Sequence, residues 1–159
     1  MLKTVMKMKF HKRRRLKNYD YASNGAYFIT FCTFEKLNRF WTKDVFPNDA
    51  EYQFNDCGMI MQRAIEQIPA FYPSVSVDHY VIMPNHVHLI LVLNDSDVSV
   101  STIIRHLKSA VTKEYGAPIF QRSFHDHIIR DFSDYEMIWN YIEDNPQKWN
   151  EDKYYLGSS

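Results

Sequence analysis

The sequence predicts an α+β fold built on one antiparallel sheet, and three observations carry that prediction. Two runs of strand-forming residues, 74–83 and 86–93, are separated only by a Pro84-Asn85 turn, so they read as an antiparallel hairpin. Two stretches with helical periodicity flank that hairpin in sequence, and each runs into residues that stop a helix. Strand signals recur at both ends, giving the order β-α-β-β-α-β with one further helix. That order is the ferredoxin-like (RRM-like) motif, which packs its helices on one face of the sheet and leaves the other available to a ligand.

Ala26-Tyr27-Phe28-Ile29-Thr30-Phe31-Cys32-Thr33-Phe34 is aromatic and β-branched and forms the first strand. A loop broken by Pro47 leads into a helix over about 49–68. Met59, Ile60, Arg63, Ala64, Gln67 and Ile68 give it a mixed periodicity, Gly58 weakens it, and Pro69 and Pro73 bracket its exit. Val75, Val77, Tyr80 and Ile82 mark the second strand, and the third starts at His86. A helix from Ser99 or Ser101 to Tyr115 places Ile103, Ile104, Leu107, Ala110 and Val111 on its apolar stripe, with Gly116 and Pro118 ending it. Residues 127–130 supply a fourth strand. Ser133, with Glu136 three positions on, is a capping box for a last helix through about Asp144, which Asn145-Pro146 ends. On a helical wheel Tyr135, Ile138, Trp139 and Ile142 form its core stripe. Tyr141 and Asn145, one turn apart, fall on a flank, so Tyr141 is not obliged to be a core aromatic.

At 159 residues and 45% hydrophobic content the chain has material for one core. The reading divides it into a basic arm at 1–17, one domain at 18–149 and a polar tail at 150–159. No apolar run approaches a membrane span, and the N-terminus lacks the apolar core of a signal peptide. Cys32 and Cys57 are the only cysteines and form no CxxC pair, so a reducing, cytoplasmic setting is expected. The zero formal charge hides an asymmetry: Lys3, Lys7, Lys9, Lys12, Arg13, Arg14, Arg15 and Lys17 stand in the arm with no acid among them. A polyanion, most naturally nucleic acid, is the partner such an arm implies.

His86-Val87-His88 is the stretch with the clearest chemistry. Alternation along a strand sends both histidines to one face, about 7 Å apart, where two imidazoles can converge on a metal ion. A pair of surface histidines on an edge strand fits the triplet equally well. In the ferredoxin-like order the pair falls on an inner strand beside the open face. His125 and His127 repeat the spacing and form a rival metal pair. A histidine-triad hydrolase would need a third histidine where Ile90 stands.

Several blocks in order resemble the signatures of the REP-associated tyrosine transposases, a group within the single-tyrosine HUH transposases of bacterial insertion sequences. They are Val81-Ile82-Met83-Pro84-Asn85-His86-Val87-His88, Thr102-Ile103-Ile104-Arg105-His106-Leu107-Lys108-Ser109, Gln121-Arg122-Ser123-Phe124-His125-Asp126-His127-Ile128-Ile129-Arg130 and Tyr141-Ile142-Glu143-Asp144-Asn145-Pro146-Gln147-Lys148-Trp149. The resemblance runs from about Leu16 to Trp149. It implies a nuclease that cuts single-stranded DNA beside a hairpin, with His86 and His88 as metal ligands, Tyr141 as nucleophile and Asn145 completing the metal site where related enzymes have Gln. The last helix would then carry the catalytic tyrosine. The group implies a cytoplasmic, nucleoid-associated protein acting as a monomer or homodimer.

A free phenol is only about 0.1% ionised at neutral pH, so it needs help as a nucleophile. A divalent ion, Mg²⁺ or Mn²⁺, supplies it, and two nitrogens with one oxygen favour Mn²⁺. Lys12, Arg13, Arg14 and Arg15 are the expected grip on DNA, with Arg105, Lys108 and Arg122 as further candidates. The competing readings are a domesticated enzyme and a non-catalytic RRM-like binder, which would show aromatics on the open face of its central strands.

Overall fold

The structure, a computed structural model, describes residues 24–42 and 53–154. The basic arm, with Lys12, Arg13, Arg14 and Arg15, lies outside them. Four strands, β1 (Asn24–Cys32), β2 (Val75–Ile82), β3 (His86–Asn94) and β4 (His125–Ile128), form one antiparallel sheet in the order β2-β3-β1-β4. The helices are α1 (Asp56–Glu66), the single turn α2 (Ile68–Phe71), α3 (Val100–Tyr115) and α4 (Phe132–Asp144). This is the expected ferredoxin-like α+β arrangement with its extra C-terminal helix.

Register decides what each face carries. Thr30 lies opposite His88 and Cys32 opposite His86, so Phe28, Thr30, Cys32, His86, His88 and Ile90 share one face. Tyr27, Ile29, Phe31, Val87, Leu89 and Leu91 share the other, and all six are buried. On that second face α1 docks through the Tyr80 hydroxyl donating to Glu66, 2.9 Å. There too α3 lays Lys108 over the Phe31 ring, 5.6 Å from its centroid. Helix α4 covers the histidine face. Tyr135, Ile138 and Ile142 of the stripe the wheel predicts are buried, while its fourth member, Trp139, is half-buried and stacks on His79.

Several boundaries differ from the sequence reading. Helix α1 starts at Asp56, because Asn55 caps it by accepting from Gly58 N, and its buried stripe is Cys57, Met61 and Ile65; Met59 is exposed. Gly58 is there for clearance: a Cβ would come 2.2 Å from the Phe40 carbonyl oxygen. Ala110 is exposed on α3. Strand β4 begins two residues earlier than predicted, at His125. Asp131 rather than Ser133 caps α4, its carboxylate accepting from Asp134 N at 2.8 Å. The polar stretch after α4 is a 3₁₀ segment, Asn145–Glu151, that folds back with Trp149 and Tyr154 buried. The Trp149 ring lies 6.3 Å from that of Trp41, tilted by 55°.

Candidate metal and tyrosine site

His86 and His88 sit on β3, an inner strand, which rules out the edge-strand reading. They are 0% and 1% exposed, where the open face of a ferredoxin-like sheet would leave them accessible. The cover is α4 and the segment after it: Tyr141 reaches His88 (ring centroids 5.2 Å), and Trp149 and Tyr154 reach His86 (5.9 and 4.4 Å).

Each imidazole is pinned through Nδ1. His88 Nδ1 is 2.7 Å from the Thr30 hydroxyl. His86 Nδ1 is 2.8 Å from Asn85 Oδ1. Asn85 spends its amide protons on the carbonyls of Lys36 (3.1 Å) and Tyr154 (2.7 Å), so its oxygen is left to accept, and His86 must carry its proton on Nδ1. The Nε2 lone pair of His86 therefore points away, available to a ligand. Burial, reinforced by the neighbouring His88, holds the His86 pKa well below its ordinary value, and burial takes His88 to about 3. Both rings are neutral at pH 7, the form that binds metals.

Four buried polar atoms gather there without a hydrogen-bond partner: His86 Nε2, His88 Nε2, Asn145 Oδ1 and Asp152 Oδ2. Ligand atoms of His86, His88 and Asp152 lie within 4.8 Å of one another. Unsatisfied buried polar atoms are costly, and a cluster of nitrogens and oxygens left so is what a site for a cation looks like without its cation. Two imidazole nitrogens and two oxygens fit a divalent ion of borderline to hard character. His86 Nε2 and Asp152 Oδ2 are 3.6 Å apart, but with His86 neutral this is no ion pair.

Tyr141 is 41% exposed on the flank that the wheel assigns it, and its ring meets His88 and, edge-on, Phe28. Burial and then Asp152 push its phenol pKa up, and Asn145 partly offsets them. Beside it opens a cavity of 320 Å³ walled by Tyr141 and Asn145, the acids Asp144, Glu151 and Asp152, and the lysines Lys148 and Lys153. Sequence reasoning missed Lys148, Asp152 and Lys153; buried Trp149 and Tyr154, two aromatics within a polar tail, were the available signal that this segment folds back.

The remaining candidates are not brought to this cavity. Arg105 and Lys108 lie on α3, against the opposite face. Lys108 donates to the carbonyls of Gln121 (3.0 Å) and Ser123 (2.8 Å), which commits most of its donors to the fold. Arg105 and Arg122 are exposed. His125 and His127 are exposed on edge strand β4, and His127 pairs with Asp134 at 2.8 Å. Among the described residues no third ligating side chain converges on them. The rival metal pair is thereby set aside.

The sheet order, with a helix over the histidine face, is a fold found among solved transposases. A REP-associated tyrosine transposase solved bound to a REP hairpin has it, with a TM-score of 0.64 and 24% identity over 87% of this chain and 76% of that one. The Escherichia coli K12 REP-associated tyrosine transposase is 27% identical over 80% of this chain and 70% of its own length. An uncharacterised Haemophilus influenzae protein is 34% identical over 92% of this chain and 94% of its own length. No family model matches the chain. The chain is thus similar in sequence and fold to REP-associated tyrosine transposases. Among the described residues no helix is long and apolar enough to cross a membrane.

Proposed function

We propose that this protein is a divalent-metal-dependent endonuclease and strand transferase that cuts and rejoins single-stranded DNA beside a hairpin through a 5′-phosphotyrosine. The observation that carries the reading is the set of four partnerless buried donor atoms immediately beside a half-exposed tyrosine. Two rings held by their Nδ1 atoms, with Nε2 left over, are ligands already oriented by the groups behind them.

His86 and His88, with the amide oxygen of Asn145, would hold Mn²⁺ or Mg²⁺. Such an ion polarises the scissile phosphate and offsets the charge that builds on its oxygens. Tyr141 Oη attacks phosphorus, forming the Oη–P bond as the P–O3′ bond breaks. The phenol proton leaves to water in the open cavity, and the departing 3′ oxygen takes one up. Burial makes this phenol harder to ionise than a free one, so positive charge beside it is needed. Lys148 and Lys153 line the cavity alongside Asp144, Glu151 and Asp152, so its wall is acidic on balance and that positive charge falls to the ion. The arm at 1–17 grips the hairpin or its flank. The non-catalytic RRM-like reading draws little support, since Phe28 is the only aromatic that β1 and β3 place on this face.

The test is incubation of the protein with hairpin-bearing single-stranded oligonucleotides and Mn²⁺. A covalent protein–DNA band should form, map to Tyr141 and disappear in Tyr141→Phe, which should still bind the oligonucleotide. Binding by the wild type without any adduct would overturn the enzymatic reading in favour of a binding protein.

A further inference from the structure

The carboxylate in the histidine pocket comes from beyond the tyrosine helix. After the 3₁₀ segment Asn145–Glu151 the chain crosses back under β3, where the Tyr154 carbonyl accepts from Asn85 Nδ2 at 2.7 Å. Tyr154 N donates to Asp152 Oδ1 at 2.8 Å, which orients the carboxylate. Its other oxygen, Oδ2, is buried without a partner, on a side chain only 1% exposed, and faces His86 Nε2 at 3.6 Å. Because Asn85 fixes the His86 proton on Nδ1, the two atoms facing each other are both lone-pair acceptors. Two acceptors held face to face in a dry pocket repel, and burying a carboxylate oxygen this way is expensive. Ligand atoms each about 2.1 Å from one ion stand about 3.4 Å apart at a tetrahedral angle, close to the separation seen.

We propose that Asp152 is a ligand of the ion held by His86 and His88, so that the metal centre is assembled from strand β3 and the chain's C-terminal segment together. The proposal rests on the metal site of the preceding section. The Asn145 side chain, which interacts with both His86 and Asp152, is a neutral amide, whereas Asp152 brings a full negative charge, so affinity depends more on Asp152 than on Asn145. Loading of the ion and docking of residues 149–154 are then coupled: each favours the other by the same factor.

The experiment uses the full chain without DNA. Mn²⁺ binding is measured by calorimetry and by the loss of the free-ion electron paramagnetic resonance signal, for wild type, Asp152→Asn, Asp152→Ala, Asn145→Ala and His86→Ala. Trypsin cleavage after Lys148 and Lys153 is followed with and without Mn²⁺. Both Asp152 variants should bind at least tenfold more weakly than wild type and more weakly than Asn145→Ala. Mn²⁺ should protect the two lysines in wild type and fail to do so in Asp152→Asn. Circular dichroism in chelator reports that the variants are folded, and the second Asp152 variant guards against one that is not. If both Asp152 variants bind within twofold of wild type while His86→Ala abolishes binding, the histidine site stands and Asp152 is not part of it. If wild type shows no saturable Mn²⁺ binding, the metal reading itself fails and takes this proposal with it.

Discussion

Two His-x-His sequences stand in this chain, at 86–88 and at 125–127, with the same spacing and on the same face of the sheet. Register places His125 opposite Thr30 and His127 opposite Phe28, so the second pair is one strand across from the first. Their fates differ because β3 is an inner strand with α4 and the following segment over it, while β4 is an edge strand. The inner pair has each Nδ1 tied back and each Nε2 buried without a partner. The outer pair is exposed, with His127 spent on Asp134 at the start of α4. A metal-ligand spacing is therefore a statement about direction only. Desolvation, restraint from behind and a third donor come from the sheet order and from whatever covers it.

The largest expected effect sets the pairs directly against each other. His86→Ala or His88→Ala should abolish adduct formation, whereas His125→Ala with His127→Ala should leave it. The same variants should separate in the stabilisation that Mn²⁺ confers: at a hundred times its dissociation constant, about 2.7 kcal/mol in wild type and in the outer-pair variant, and none in His86→Ala, measured by denaturation with and without chelator. Cleavage surviving loss of the inner pair would reverse the assignment.

A smaller effect reads the difference in burial through pH. Folded His88 titrates at about 3 and His86 well below its usual value, so below about pH 6.5 the unfolded chain takes up protons that the folded chain refuses. Stability of the metal-free protein should therefore fall as pH drops from about 6.5 towards 3. Asp152, whose carboxyl burial pushes up, acts in the opposite sense in the lower part of that window. Urea titrations across the range should show the slope reduced in His88→Asn. The smallest effect belongs to His127→Ala, which removes a pair with a partly exposed imidazole. Asp134 keeps its hydrogen bond from Arg130 N (3.1 Å), so the loss should be under about 1 kcal/mol by thermal denaturation.

Alternation and capping were legible in the chain wherever one local signal dominates. The β2–β3 hairpin, the Ser99-capped α3 ending at Gly116 with its positive φ of 90°, and the core stripe of α4 are all of this kind. Where two residues of equal competence compete, as Asp131 and Ser133 do for the α4 cap, tertiary packing chooses. The start of α1 was obscured by Gly58, which reads as a helix-weakening residue yet serves a close approach to the Phe40 carbonyl. In the site, the histidines and the flank position of Tyr141 could be read from periodicity. Asp152 could not, because an acidic residue in a polar stretch looks solvated until the aromatics around it are seen to be buried.

Strand β2 carries one residue more than its partner between Val77 and His79. That irregularity turns two successive side chains toward α4: Asp78 accepts from the Tyr135 hydroxyl at 2.9 Å, and His79 stacks on Trp139 and meets Glu143 at 2.8 Å. One grip would leave the helix free to roll about its axis; two, a turn apart, set its roll. A side-chain tip about 6 Å from a helix axis moves about 2 Å for a roll of about 20°, enough to spoil an in-line attack. The bulge thus fixes which way Tyr141 faces. If Tyr141 is the proposed nucleophile, deleting the single residue Asp78, some sixty positions upstream in the chain, should leave His86, His88 and Tyr141 in place and still abolish the adduct.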